Sequence, residues 1–190
     1  MDKIKELREK TGAGIMDCKR ALEQSNGDIQ GAEDILRKQG MASAAKKAGR
    51  TANQGLIIPY IHGGRIGVLL ELNCETDFVA RTEDFQILGR DIAQHIVGMM
   101  PQYIRAEEVP ADIRERERRI HDGSDEEVDR KIVLLAQPFV RDPKKTIGDM
   151  IHEAIGKLGE NIVVRRFTRY ELGEAVAADQ GDMSTALQEG

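Results

Sequence analysis

Residues 65–75, RIGVLLELNCE, decide the fold, because apolar and polar side chains alternate along most of this stretch. One side of the stretch is apolar, and the other carries Glu71, Asn73 and Glu75. A period of two is typical of an antiparallel strand with one buried face. The apolar run LIIPYI at 56–61 precedes it, and the turn sequence His62-Gly63-Gly64 predicts that the two runs pair as a hairpin.

Helical patterns surround this hairpin. Residues 3–40 predict three short helices, with Asp28 capping the third and Gly40 ending it. Further helices are predicted by the candidate caps Thr82 and Thr146 and by two charged segments, 110–121 and 124–136, the second opening with the capping box at Ser124. A last strand is predicted over residues 161–170, in which Ile162, Val164, Thr168 and Tyr170 alternate with Val163, Arg165 and Phe167.

This order of elements predicts an α+β fold. We expect an N-terminal three-helix bundle over residues 1–40, resembling the ubiquitin-associated (UBA) type, and a helical or flexible linker over 41–53. Residues 54–172 are expected to form a core in which helices cover one face of a three-stranded antiparallel sheet. Residues 173–190, small and polar, are expected to be a mobile tail.

Composition narrows the functional class. The chain has 190 residues, 40% of them hydrophobic, which fits a globular domain with a mainly aliphatic core because Trp is absent. The formal net charge of −5 argues against direct nucleic-acid binding. No apolar run approaches the length of a membrane span, and the first residues lack a signal-peptide pattern, so we expect a cytoplasmic protein with reduced, buried Cys18 and Cys74.

Signatures of catalysis and cofactor binding are missing from the sequence. There is no phosphate-binding GxxxxGK[ST] loop, no GxGxxG after a strand and no GxSxG elbow. The four histidines have no metal-ligand spacing. We therefore predict a protein that is not an enzyme, with no catalytic residues, no metal and no cofactor, although distant residues could still assemble an active site.

Phe78 stands out in the segment Glu75-Thr76-Asp77-Phe78-Val79-Ala80-Arg81, because the chain has only four Phe. It follows an acidic residue at a strand end and precedes the candidate cap Thr82. One interpretation packs Phe78 under the next helix as a hydrophobic staple. The other presents Asp77 and Phe78 on a tight turn to a protein partner, as aromatic anchors often are.

Four blocks of the chain resemble the elongation factor Ts family. They are KELREKTGAGIMDCKRALEQSNG at 5–27, NCETDFVAR at 73–81, AQPFVRDPKKTIGDMI at 136–151 and GENIVVRR at 159–166. The long form of that family has two related core halves and an inserted coiled coil. The blocks here correspond to one merged half, so the resemblance is to the short form, and it implies a homodimer that pairs through sheet or hairpin surfaces.

The resemblance also implies a partner and a site. The family binds the GTPase elongation factor Tu in its GDP-bound state and promotes GDP release by disturbing the Mg²⁺ and phosphate site, after which GTP rebinds. Transferred by position, contacts from the bundle would come from Ile15, Met16 and Lys19. The contacts from the core would come from Thr76, Asp77, Phe78, Val79, His62, Leu158 and Gly159.

Each of these positions has a simpler interpretation. Ile15 fits the apolar stripe of its helix, whereas Met16 and Lys19 lie off it. His62 could be an ordinary solvent-exposed turn histidine. As a whole, the chain could also be a UBA-like adaptor or scaffold that binds a peptide or protein without exchange activity.

Overall fold

The computed structural model describes residues 2–121 and 123–174, except for the side chain of His121. The expected tail beyond residue 174 therefore lies outside the described residues. Eight α-helices and five strands are described, together with two short 3-10 turns. In chain order they are α1 (Asp2–Thr11), α2 (Ile15–Gln24), α3 (Ile29–Lys47), β1 (Gln54–His62), β2 (Ile66–Cys74), α4 (Asp77–Ala80), α5 (Glu83–Met99), α6 (Ala111–His121), α7 (Asp125–Ile132), β3 (Pro138–Phe139), β4 (Asp142–Thr146), α8 (Ile147–Leu158) and β5 (Val163–Glu171).

The predicted α+β architecture is confirmed. Strands β1, β2 and β5 form an antiparallel sheet with β2 in the centre. The inner face of the sheet packs against α5, whose buried side includes Phe85, Ile92 and Ile96. Leu70 and Leu72 of β2 are fully buried in the same core. The sheet thus carries helices on one side only, which leaves its other side without cover from the described part of the chain.

The helix caps were predicted correctly because they depend on local chemistry. Asp28 accepts a hydrogen bond from the Gly31 amide, and Thr82 accepts one from the Phe85 amide. Thr146 and Ser124 each open a helix with a reciprocal capping box. Each cap satisfies an amide that has no partner inside its helix.

The predicted end of the third helix at Gly40 is wrong. Helix α3 continues to Lys47, so the first half of the expected linker is helical. Gly40 is buried because α3 crosses α8 there, and a Cβ on Gly156 would lie only 3.3 Å from the Gly40 Cα. At this position glycine allows two helices to approach closely, which overrides its weak helix propensity.

The predicted alternation of the last strand is wrong beyond Val164. A β-bulge opposite Glu71 and Leu72 leaves Arg165 without a cross-strand partner. One extra residue reverses which side chains face the core. Phe167 therefore packs into the core, while Tyr170, expected on the face of Val164, is 71% exposed.

Candidate protein-binding site

Phe78 projects from a one-turn helix that follows the central strand. Thr76 caps this helix, α4, by accepting a hydrogen bond of 3.4 Å from the Val79 amide. The Phe78 side chain is 77% exposed, and the adjacent Asp77 carboxylate pairs with Arg81 at 2.7 Å. An exposed aromatic ring on a short capped turn has the geometry of an interface anchor.

The staple interpretation of Phe78 is wrong. Successive residues of a helix point about 100° apart, so a single turn can expose one side chain and bury the next. Val79 packs against the core and Ala80 is buried, which directs Phe78 outward. The buried aromatic of α5 is Phe85.

Glu160, which no local sequence pattern links to this turn, holds the turn in place. Its Oε2 accepts hydrogen bonds from the Glu75 and Thr76 amides at 3.1 and 2.9 Å. Its Oε1 accepts the Thr76 hydroxyl at 2.6 Å. Some 84 residues separate Glu160 from Thr76, so no local pattern could have linked them.

Cys74 adds another contact to this turn. Its thiol is fully buried and donates to the Thr76 carbonyl at 3.1 Å. Burial, together with the nearby Glu160 carboxylate, raises the pKa of Cys74 to about 11. The thiol therefore stays protonated at neutral pH, the form that is not nucleophilic. The expectation that Cys18 and Cys74 are free and buried is confirmed.

Leu158 and Gly159 lie at the end of α8, next to Glu160. Leu158 is partly buried against the core, and Gly159 is exposed with a left-handed φ of 81°. The Gly159 amide caps the helix by donating to the Ile155 carbonyl. A left-handed residue reverses the chain direction at little cost only when it is glycine. Gly159 thus turns the chain so that Glu160 meets the Phe78 turn.

The bundle presents a second exposed surface on α2. Met16 is 64% exposed, and Lys19 is exposed with an ion pair to Glu23 at 3.8 Å. Ile15, which the apolar stripe would have placed in the core, is 57% exposed. It is the first residue of α2 and so lies at the end of the stripe, whereas Cys18 and Leu22 further along are buried.

His62 lies at the far end of the hairpin from the Phe78 turn. It pairs with Ile66 at the start of β2, whereas Phe78 follows the end of β2 at Cys74. A strand of this length spans about 27 Å at ~3.3 Å per residue. The His62 ring is exposed, and its Nδ1 lies 3.3 Å from the Tyr60 hydroxyl. Within one chain, His62 is not part of the surface around Phe78.

The described residues contain no obvious metal or membrane element. Among them, no three or more His, Cys, Asp or Glu side chains come together in a way that could hold a metal ion. None of the described helices combines the length and the apolar character needed to cross a bilayer.

Comparison with known proteins gives a consistent result. A family model described as Elongation factor TS matches residues 42–131. An elongation factor Ts of Carboxydothermus hydrogenoformans is 50% identical over 97% of this chain and 94% of its own length. The elongation factors Ts of Caldanaerobacter subterraneus and Fervidobacterium nodosum are 52% and 54% identical, over 91% and 90% of this chain and 96% of their own lengths.

These likenesses, together with the α+β core, define the class of the protein as a translation elongation factor. Within that class, the chain belongs to the elongation factor Ts family.

Proposed function

We propose that this chain binds elongation factor Tu in its GDP-bound state and promotes GDP release by disturbing the Mg²⁺ and phosphate site, so that GTP rebinds. The observation that carries this proposal is the 77% exposure of Phe78 on a turn fixed by Thr76 and Glu160. Family membership supplies the partner, and the exposed ring supplies an anchor for it.

Phe78 requires help from other contacts. Burying a Phe side chain stabilises a complex by roughly 1.5–3 kcal/mol. A thousandfold loss of GDP affinity needs about 4 kcal/mol of coupling. We propose that the rest of this coupling free energy comes from Met16 and Lys19 of the bundle and from Leu158 and Gly159. Coupling of this kind is reciprocal, so GDP must weaken the binding of the factor as much as the factor weakens GDP.

The proposed role requires no chemistry from this chain. Exchange makes and breaks no covalent bond, so the chain acts as a binding protein and not as an enzyme, with no cofactor of its own. Its proposed partner is a protein and not a nucleic acid, which agrees with the net charge of −5. The activity would take place in the cytoplasm, where translation occurs.

A homodimer is part of this proposal, and the uncovered face of the sheet supports it. Ile57, Ile61, Leu69 and Tyr170 point outward there, each at least 50% exposed. Exposed apolar side chains grouped on one face of a sheet, here beside the Glu71–Arg166 ion pair, are typical of an interface. Two such sheets pack face to face at about 10 Å. A second copy of the chain is the occupant we propose.

The dimer gives His62 a possible role. One partner molecule that touches both Phe78 and His62 of the same chain would have to span the length of β2, about 27 Å. In a dimer, one GTPase can instead contact Phe78 of one chain and His62 of the other. We propose that His62 contacts the GTPase through this arrangement.

Release of a fluorescent GDP from elongation factor Tu tests the proposal directly. Saturating amounts of the full chain are expected to accelerate release about a hundredfold, since a coupling free energy of about 3 kcal/mol corresponds to roughly 150-fold. An unchanged release rate at saturating concentrations of the chain would refute the proposal.

A UBA-like adaptor is the second candidate. The bundle has its own small core around Leu7 and Cys18, and Ile15 and Met16 are exposed on it. Binding of elongation factor Tu and release of its GDP, both measured with the Phe78→Ala variant, separate the two functions. An adaptor would retain its ligand after Phe78→Ala and would leave nucleotide release unchanged, whereas an exchange factor loses stimulation.

A further inference from the structure

We infer that Glu160 is a positioning residue for nucleotide exchange, which acts by fixing the turn that carries Phe78. This inference rests on the proposed function. The Glu160 carboxylate accepts three hydrogen bonds from two consecutive residues: the amides of Glu75 and Thr76 and the hydroxyl of Thr76. These residues immediately precede Asp77 and Phe78.

The Thr76 hydroxyl transmits the effect of Glu160. Its single proton points to Glu160 Oε1 at 2.6 Å, a length typical of a hydroxyl bound to an ionised carboxylate. The lone pairs of the same oxygen are then free to accept the Val79 amide and cap α4. Glu160 therefore orients the group that starts the helix bearing Phe78.

Phe78 depends on this anchoring because its exposed ring has little packing of its own. Helix α4 has four residues, too few to be stable without tertiary support. The ring is 77% exposed, so side-chain packing does not restrain it. Among the described residues, Asp77 forms its ion pair with Arg81, one turn later on the same exposed segment. Anchoring of the backbone at Glu75 and Thr76 is thus the main restraint upstream of the ring.

A second carboxylate completes the anchoring in the opposite direction. Glu75 Oε1 accepts the Asn161 amide at 2.7 Å and lies 3.6 Å from an Arg50 nitrogen. The Asn161 side chain donates to the Arg50 carbonyl at 2.8 Å. Each of the two segments thus donates a backbone amide to a glutamate of the other, and both are tied to the chain that leaves α3.

The test is the release of fluorescent GDP from elongation factor Tu over a range of concentrations of the full chain. Glu160→Ala is expected to lower the maximal release rate about tenfold, because loss of a charged acceptor leaves three donors unpaired. The half-saturating concentration is expected to change less than threefold, since Met16 and Lys19 remain in place. Glu160→Gln keeps one acceptor oxygen and should give an intermediate rate. If Glu160→Ala is unfolded at the assay temperature, Glu160→Gln takes its place in the experiment.

A double-mutant cycle separates positioning from general destabilisation. In the Phe78→Ala background, Glu160→Ala should have no further effect on the maximal rate, because there is no ring left to position. Glu153→Ala is the matched control. It removes a half-buried carboxylate of α8 that pairs with Lys145 at 2.8 Å, and it should leave the release rate unchanged. Equal losses from Glu160→Ala in both backgrounds, or no loss in either, would overturn the inference.

Amide hydrogen exchange keeps this inference separate from the proposed function. Glu160→Ala should accelerate exchange at the amides of residues 75–80 in the free chain by at least tenfold, whether or not the chain acts on a GTPase. If the unmodified chain fails to release GDP, the proposed function fails and the role of Glu160 in exchange fails with it. Unaltered amide exchange, by contrast, would refute the anchoring alone.

Discussion

Phe78 and Phe85 lie on consecutive helices in opposite environments: Phe78 is 77% exposed, and Phe85 is completely buried. This contrast separates contact with a partner from packing of the core. Phe78→Ala is expected to leave the free energy of unfolding nearly unchanged, while it lowers GDP release from elongation factor Tu. Phe85→Ala should lower the unfolding free energy by about 3–5 kcal/mol, as a large cavity does. Urea denaturation and fluorescent-GDP release measure the two effects.

That pair of substitutions also decides the role of the turn. A large loss of stability with Phe78→Ala would mean that the ring packs in solution, contrary to its position in the structure. Unchanged exchange with a fully folded Phe78→Ala variant would remove the turn from the proposed mechanism.

Met16 on the bundle should affect affinity more than maximal rate. Removing its exposed side chain with Met16→Ala is expected to raise the half-saturating concentration in the exchange assay about fivefold, or ~1 kcal/mol of binding. Met41→Ala is the matched control, because Met41 is also an exposed methionine but lies on α3, just beyond residues 1–40 of the bundle. Equal effects of the two substitutions would argue against a specific contact at Met16.

Charges on the outer face of the sheet should dissociate the proposed dimer. Ile61 and Tyr170 flank Gly67 on neighbouring strands, so Ile61→Lys with Tyr170→Lys places two positive charges on that face, near its hairpin end. Sedimentation should then report a monomer that is still folded, since both side chains are exposed in the single chain. Ile120→Lys makes the same chemical change at an exposed position of α6 and should leave the dimer intact. A monomeric unmodified chain would contradict the proposed homodimer.

His95 should make the fold sensitive to acid. Its Nδ1 accepts the Val140 amide at 3.3 Å, and its other ring nitrogen lies 3.0 Å from the Gln137 Oε1, so the buried ring is neutral. Burial lowers the pKa of His95, while the hydrogen bond to Gln137 opposes this in part. Protonation would place a hydrogen on Nδ1, which would then face the N–H of Val140, so the hydrogen bond to Val140 would be lost.

The sign of the pH effect follows from that pKa. The unfolded chain takes up a proton at His95 near pH 6.5, whereas the folded chain does so only at lower pH. Stability is therefore complete above about pH 6.5 and falls as the pH drops below that value towards the folded pKa. His95→Gln should make the loss between pH 7 and pH 5 less steep in urea denaturation. An identical slope in the variant would show that other groups cause the acid sensitivity.

The sequence predicted the elements whose signals are local. The alternation along β2 and the caps at Asp28, Thr82 and Thr146 depend on neighbours within four residues, and all are confirmed. Features that depend on distant packing were missed or misjudged. The bulge at Arg165 arises from pairing with β2. The continuation of α3 beyond Gly40 arises from its contact with α8.

The candidate site divides in the same way. Phe78 attracted attention because the chain contains few aromatic residues, but only the structure decided that the ring is exposed. Glu160 lies within the block at 159–166, but no local pattern connects it with its partners, which follow the end of β2. The roles of Thr76, Asp77, Val79, Lys19, Leu158 and Gly159 in partner binding stay predictions, and so do the UBA-like character of the bundle and the domain boundaries.

The close crossing of α3 and α8 at Gly40 and Gly156 has a consequence for avidity. Because the two backbones meet there without intervening side chains, the bundle is joined to the core by a stiff contact as well as by the chain. Once Met16 engages the GTPase, the second contact by Phe78 becomes intramolecular, with an effective concentration that a loose tether would dilute. A bulky side chain at Gly40 would force α3 and α8 apart and leave both binding surfaces unaltered. It would weaken the complex by lowering the effective concentration of Phe78 at its contact.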